Sequence, residues 1–399
     1  MKIIGLSVQG YRSLADVAWG PGDLNVLIGP NGAGKSNLLR LLELISISAQ
    51  GRLGKYIQSL GGMEPLVWDG FADYIGFIFE VSPMDKTMGD QNDSYKYILH
   101  LDRLGKRSSA YRIGHELLDY YRVESCERRD EPLKLLERRG LNALVFDENQ
   151  RALTAPEESM SEEETLLSMA TGPFAVNRHI QPFQAQVASW SVYHDLRVDR
   201  DAPIRQAAVT RTEKRVDPDG QNLIPVLHTL YSGDRDFKKD IDSAMRAAFG
   251  DDYEELIFAP AADQRIQLRV RWRSLRREQT AADLSDGTLR FLFLLTVLAS
   301  PMLAPVIAID EPETGLHPSM LPIVAEYAVD ASQRAQVILT THSPQFLDAF
   351  GDAIPVTTVT EWSHGATQLR TLDGDALKEW LKEYSLGSLF LSSELEDME

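Results

Sequence analysis

The residues most able to do chemistry lie in four short stretches. The first is Gly29–Ser36, GPNGAGKS, set between the apolar run DLNVLIG and the leucine-spaced segment KSNLLRLLELISIS. It matches G-x-x-x-x-G-K-[ST] in full, in the strand, turn and helix setting the motif needs. Glycines let successive backbone N–H groups turn toward one point, and the first turn of the helix adds donors of its own. Gly29, Pro30, Asn31, Gly32, Ala33, Gly34 and Asn37 thus form a candidate phosphate cradle. Lys35 is expected to reach the outer phosphates and Ser36 to hold Mg²⁺, so ATP and Mg²⁺ are the expected cofactors.

The second stretch, PVIAIDEPETGLHP from Pro305 to Pro318, is an apolar run that ends in an acidic pair. Such a run reads as a buried parallel strand carrying both carboxylates to its carboxyl end, where open α/β sheets bind ligands. Asp310 is placed to reach Mg²⁺, and Glu311 to orient and deprotonate an attacking water. The third, VILTTHSPQFLD from Val337 to Asp348, delivers His342 to the same kind of edge, as a donor to the γ-phosphate. The fourth, LSDGTLRFL from Leu284 to Leu292, puts Ser285 and Gly287 where a helix begins. Its hydroxyl and first-turn N–H groups make a second anion-seeking helix start, 249 residues from Ser36. One phosphate loop already surrounds a nucleotide on one side. A second such start is explained if it completes the site of another copy, with Ser285 approaching the phosphate held by that copy's Lys35.

In this arrangement the chain resembles the ABC-type ATPase heads, with a Walker A motif, an L-S-x-G-x signature, a Walker B motif and a switch histidine. GYRSL before the loop, LSDGTLRFL and DEPETGLHP are similar to the RecF/SMC-like branch, the predicted AAA-domain ATPases. The ATPase part of overcoming-lysogenisation-defect nucleases is similar too, without the nuclease domain. The resemblance covers residues 1–50 and 260–350 closely and the middle loosely. It implies ATP hydrolysis by a head-to-head homodimer with two sandwiched nucleotides, and leaves a higher oligomer open. It also implies that Arg12 lies near the nucleotide and that Thr314 to His317 form a D-loop touching the partner head. The Q-loop glutamine has no counterpart that can be placed: Gln58 comes early, and LLSMATG near Ser168 lacks a glutamine.

The elements that must position these residues follow from periodicity. KIIGLSVQGY and DLNVLIG read as strands, and YIGFIFEV, YKYILHL and AYRIGHEL as an antiparallel sheet with polar turns such as SPMDKTMGDQNDS. Beyond the acidic stretch APEESMSEEE, helix is expected from about 160, with DPDGQNL a turn before the helix LIPVLHTLYS. Helix 285–299, strand 305–309, helix 318–333, strand 336–340 and helix 344–350 then alternate. The expected fold is α/β: a P-loop NTPase head with a mainly parallel core sheet, an attached antiparallel subdomain and a helical insertion. The expected divisions are residues 1–155, 156–260 and 261–399. The absence of sustained heptads excludes a long coiled coil, and with it a long-armed chromosome organiser.

In QRIQLRVRWR, a strand places Arg265, Arg269, Arg271 and Arg273 on one face with Gln267, a row that could meet DNA phosphates. The alternative is a solvated face neutralised by acidic neighbours such as DDYEE. A net charge of −18 means that any nucleic-acid contact is local on an acidic body. The lone Cys126 excludes an intrachain disulfide, and no apolar run or signal-like N-terminus points to a membrane. The expected location is cytoplasmic, and the acidic tail SELEDME reads as a solvated end. With 57 residues after His342, any cutting activity is expected from a partner. The expected output is therefore DNA maintenance or anti-phage defence; the alternative is an ATP-dependent scaffold that controls an effector protein without binding DNA.

Overall fold

The structure, a computed structural model, describes residues 1–70, 72–83, 93–105, 109–124, 127–128, 131–148, 150–156, 160–169, 177–194, 196–372, 374, 377 and 385–392. Outside the described residues lie Cys126, residues 84–92 of SPMDKTMGDQNDS, residues 157–159 of the acidic stretch, 170–172 of LLSMATG, and the tail from 393. Two compact units emerge: residues 1–190 with 356–371, and residues 191–355 with 372–399.

In the first unit, β1 (Lys2–Tyr11) and β2 (Leu14–Trp19) form a hairpin whose turn is Arg12–Ser13. β3 (Leu24–Ile28) is buried along its whole length and leads through the glycine loop into α1 (Lys35–Ala49) and α2 (Leu53–Ser59). β4 (Tyr74–Ser82), β5 (Ser94–Arg103) and β6 (Tyr111–Tyr121) are the antiparallel strands expected from their aromatic, β-branched composition. A two-residue ladder, β7 (Val123–Glu124) with β8 (Glu127–Arg128), precedes β9 (Leu133–Arg139), β10 (Asn142–Asp147) and β11 (Ala152–Thr154). The sheet runs β11-β10-β9-β6-β5-β4-β1-β2. α3 (Leu166–Met169) and α4 (Ile180–Ala188) follow, and Phe183 of α4 packs on Phe79, Tyr95 and Tyr97.

In the second unit, β12 (Ser191–Tyr193) is followed by β13 (Ala208–Val209), α5 (Leu223–Gly233) and α6 (Arg235–Phe249). Then come β14 (Tyr253–Ala261), β15 (Arg265–Trp272), β16 (Gln279–Thr280) and α7 (Asp286–Leu298). β17 (Val306–Ile309), α8 (Leu321–Ser332), β18 (Gln336–Thr340) and α9 (Pro344–Asp348) complete the alternation. β17 pairs in parallel with β12 on one side and β18 on the other, and every residue of β17 and β18 is buried. That double burial is why β17 reads as an unbroken apolar run and β18 is apolar from Val337 to Leu339. α7 is apolar nearly all round because it is a core helix.

The chain then returns to the first unit as β19 (Val356–Ser363), parallel to β3, and β20 (Ala366–Thr371), antiparallel to β19. α10 (Leu386–Leu391) packs on α9 in the second unit, where Gly387 N donates to Asp348 Oδ1.

The segment expected as helical from about 160 does hold α4, α5 and α6, but also β12 and β13. β12 is three residues long, too short to show alternation, and is fixed by pairing with β17. β2, β19 and β20 lie outside the strands read from sequence, because tertiary pairing rather than local pattern defines them.

Candidate functional site

The glycine loop belongs to the first unit. Gly34 has φ 105° at the N-cap of α1, and a Cβ there would stand 2.0 Å from Thr367 Oγ1. Only glycine combines that left-handed backbone with so close a neighbour. Thr367 Oγ1 lies 2.6 Å from Ser13 Oγ and 2.8 Å from Ala33 O, while Asn37 Nδ2 donates to Ser13 Oγ at 2.7 Å. The β1–β2 turn and β20 thus brace the loop from behind. Pro30, Asn31 and Gly32 form its exposed crest, and Ala33 is buried. Lys35 is buried, with Nζ donating to Gly29 O at 2.6 Å and Pro30 O at 3.2 Å. Its ammonium therefore sits at the mouth of the loop, where a phosphate oxygen would compete with two neutral carbonyls. Ser36 and Asn37 are half-buried in the first turn of α1. Arg12 precedes the bracing Ser13, has φ 48°, and keeps a buried Nε without a hydrogen-bond partner among the described residues.

The carboxylates belong to the second unit. Asp310 follows β17; its N–H donates to Tyr193 O at 2.8 Å, and Thr340 Oγ1 donates to its Oδ1 at 2.5 Å. Glu311 has φ 45°, a left-handed conformation that costs a non-glycine residue about 1–3 kcal/mol. Thr340 Oγ1 accepts from Glu311 N at 3.0 Å, so one hydroxyl holds both acids. Glu311 Oε1 lies 3.1 Å from His342 Nδ1, and Oε2 accepts from Thr314 Oγ1 at 3.4 Å. Parallel strands β17 and β18 thus bring Asp310, Glu311 and His342 together at their carboxyl ends, as the sequence leads one to expect.

Glu313 is a further acid that the sequence reading passed over. It accepts from Thr341 Oγ1 at 2.5 Å and from His342 N at 3.3 Å, so it fixes the backbone that carries His342. Burial pushes its carboxyl above the ordinary glutamate value, against the lowering effect of the Thr341 hydrogen bond. Its Oε2 is buried without a hydrogen-bond partner among the described residues.

Ser285 is the N-cap of α7: its side chain accepts from Thr288 N at 3.1 Å and meets Thr288 Oγ1 at 2.8 Å. Gly287 sits where a Cβ would come within 2.7 Å of Gly315 O, which locks this helix start to the turn after Glu311. The loop before it is held by Arg205, whose side chain is 6% exposed. Its guanidinium donates to Leu284 O at 2.7 Å and Val198 O at 2.6 Å, and pairs with Asp286. Nothing in the local sequence near Arg205 points to this role, since Leu284 and Asp286 lie about 80 residues on.

The arginine row has the predicted sidedness: Ile266, Leu268, Val270 and Trp272 are buried, and Gln267, Arg269 and Arg271 face outward. Arg271 pairs with Glu255 and with Glu278 (2.8 Å), and Arg269 pairs with Glu278 (3.3 Å). Arg265 Nη1 donates to Ala207 O at 3.4 Å. The acidic neighbours thus neutralise the middle of the row.

The donor chemistry fits a hard divalent cation. Asp310 offers a carboxylate already oriented by Thr340, and an oxygen donor of this kind suits Mg²⁺. Among the described residues no cluster of three or more His, Cys, Asp or Glu could hold a metal by itself.

Comparison with known proteins agrees with this architecture. Residues 24–348 match the family described as "AAA domain, putative AbiEii toxin, Type IV TA system", and the chain belongs to that family. A solved Smc head bound to the C-winged helix domain of ScpA is similar over 95% of this chain and 100% of its own, at 13% identity and TM-score 0.57. An Smc head with an extended coiled coil, bound to the C-terminal domain of ScpA from Pyrococcus furiosus, covers 96% and 98% at 12% identity and TM-score 0.53. The fold is that of an SMC/ABC-type ATPase head, with no long coiled coil among the described residues. The cytochrome c biogenesis ATP-binding export protein CcmA of Rhodospirillum rubrum is 38% identical over 82 residues, 20% of this chain and 35% of that relative. The chain therefore spans about a third of that relative's length. Among the described residues no helix is long and apolar enough to cross a membrane.

Proposed function

We propose that this chain is a Mg²⁺-dependent ATPase that works as a head-to-head homodimer, an ATP-driven conformational switch. Lys35 and the loop Gly29–Ser36 hold the phosphates, and Ser36 and Asp310 hold the ion, which neutralises phosphate charge when bound. Glu311 takes the proton of the attacking water, and His342 donates to the γ-phosphate. Ser285 and Gly287 of a second copy complete the nucleotide's surroundings. Arg12 contributes positive charge beside the loop, and Thr314 to His317 meet the second head. The observation that carries this reading is the Glu311–His342 contact at 3.1 Å on adjacent parallel strands, in a chain that also carries a full phosphate loop. A base held by one strand edge and a γ-phosphate donor held by the next is an arrangement for hydrolysis rather than for binding alone.

For the output, the pairing of Arg269 and Arg271 with Glu255 and Glu278 favours control of a partner protein over direct DNA binding. DNA maintenance and anti-phage defence, the latter in keeping with the toxin–antitoxin wording of the family, remain the processes such a switch would serve. The test is ATPase rate against protein concentration, with and without DNA, for wild type and Glu311→Gln. Turnover per chain should rise with concentration, as dimer formation requires. Glu311→Gln should bind ATP, accumulate as dimer and lose about 10²–10⁴-fold in turnover. A variant that turns over at the wild-type rate removes Glu311 from its role. Stimulation by DNA would favour the DNA-acting reading.

A further inference from the structure

Both neighbouring strands bring groups to Asp310. From β18, Thr340 Oγ1 donates to Oδ1 at 2.5 Å. From β12, Tyr193 O accepts the Asp310 N–H at 2.8 Å, and the next residue, His194, places Nδ1 3.6 Å from Oδ2. His194 is thus to β12 what Asp310 is to β17 and Thr341 is to β18: the first residue past the carboxyl end of a parallel strand. Its side chain is 15% exposed, and both ring nitrogens are shielded from solvent. A cavity of about 30 Å³ lies beside it, lined by His194, Asp310, Glu311, Arg290 and Thr314 among others. A space of this size holds about one water, and these walls offer the polar partners a water needs.

We propose that His194 is a positioning residue for the metal-binding carboxylate: its ring stands 3.6 Å from Asp310 Oδ2, beyond hydrogen-bond distance, and limits that oxygen from one side while Thr340 hydrogen-bonds Oδ1 from the other. Its ring also lines the small cavity beside Asp310 and Glu311. The inference rests on the function proposed above, in that Asp310 is taken as a ligand of nucleotide-bound Mg²⁺. Three strands then contribute to the surroundings of one carboxylate. Residues that orient a metal ligand in this way are worth about 10–100-fold in metal affinity.

The test uses the full chain and a fluorescent ATP analogue, titrated with MgCl₂ and, separately, without metal. His194→Gln keeps an amide able to meet the carboxylate, and His194→Leu keeps the volume without the polar atoms. The expected result is a rise of about tenfold in the Mg²⁺ concentration for half-maximal analogue binding in His194→Leu. His194→Gln should stay within about threefold of wild type, and binding without metal should be the same in all three. Melting curves identify any variant that fails to fold, and the glutamine variant alone still decides: a tenfold shift in folded His194→Gln, equal to that of the leucine variant, overturns the inference. So does a folded His194→Leu with wild-type metal dependence. A wild-type chain that binds the analogue identically with and without Mg²⁺ overturns the proposed function itself, and this inference with it.

Discussion

The glycine loop and the carboxylate edge solve the same problem, holding polar groups rigidly at strand ends, by different means. The loop is eight consecutive residues, and its donors are backbone N–H groups aimed by glycine conformations. The carboxylate edge is assembled from the ends of β12, β17 and β18 and the start of α7. Buried side chains hold it together: Thr340 on both acids, Glu313 on Thr341 and His342, and Arg205 on the loop before Ser285. A backbone device is written in one place in the chain. A side-chain device is distributed, and each brace is a single substitution from failure.

The contrast can be broken most forcefully at Arg205. Arg205→Met leaves the buried carbonyls of Val198 and Leu284 without their donor, and should cost about 3 kcal/mol or more. Denaturant melts should show the loss, and ATP binding by the chain that remains folded should be near normal. Wild-type stability would mean that the loop before Ser285 is held by other contacts.

A smaller effect is expected at Gly34. Gly34→Ala meets both an unfavourable φ of 105° and Thr367 at the loop's back, a strain of about 1–3 kcal/mol. Calorimetric ATP binding should weaken by about tenfold or more. Equal ATP affinity would show that the loop relaxes, and that its shape is less fixed than its glycines imply.

The smallest effect belongs to Glu313. Burial raises its pKa, so the folded chain favours the protonated acid. The stability it contributes is full below the ordinary glutamate range and declines as pH rises through the raised value. Glu313→Gln, which mimics the neutral acid, should therefore melt about 1–3 °C above wild type at pH 7.5. The gap should close as pH falls toward 4, as thermal melts across pH would show. A constant gap would mean that Glu313 does not titrate in this range.

Legibility in the sequence followed the same division. The phosphate loop, β17 with Asp310 and Glu311, β18 with His342, and the Ser285 cap are each local patterns, and the structure places them as read. The sidedness of β15 was legible too, because a two-residue period needs only one strand to show itself. What escaped were long-range partners: Thr367 meets Ser13 from 354 residues away, and Arg205 reaches Asp286 across 81. β12 escaped for the same reason, since three residues carry no period and only β17 makes them a strand.

The most direct measurement of the central claim mixes two defective chains, Lys35→Ala and Ser285→Arg. Each alone should be inactive, since one cannot grip the phosphates and the other blocks the completing helix start. In a symmetric head-to-head dimer, half the mixed population is heterodimer and each heterodimer has one intact site. The mixture should then recover about one quarter of wild-type ATPase activity. A mixture no more active than its separate components would contradict the account.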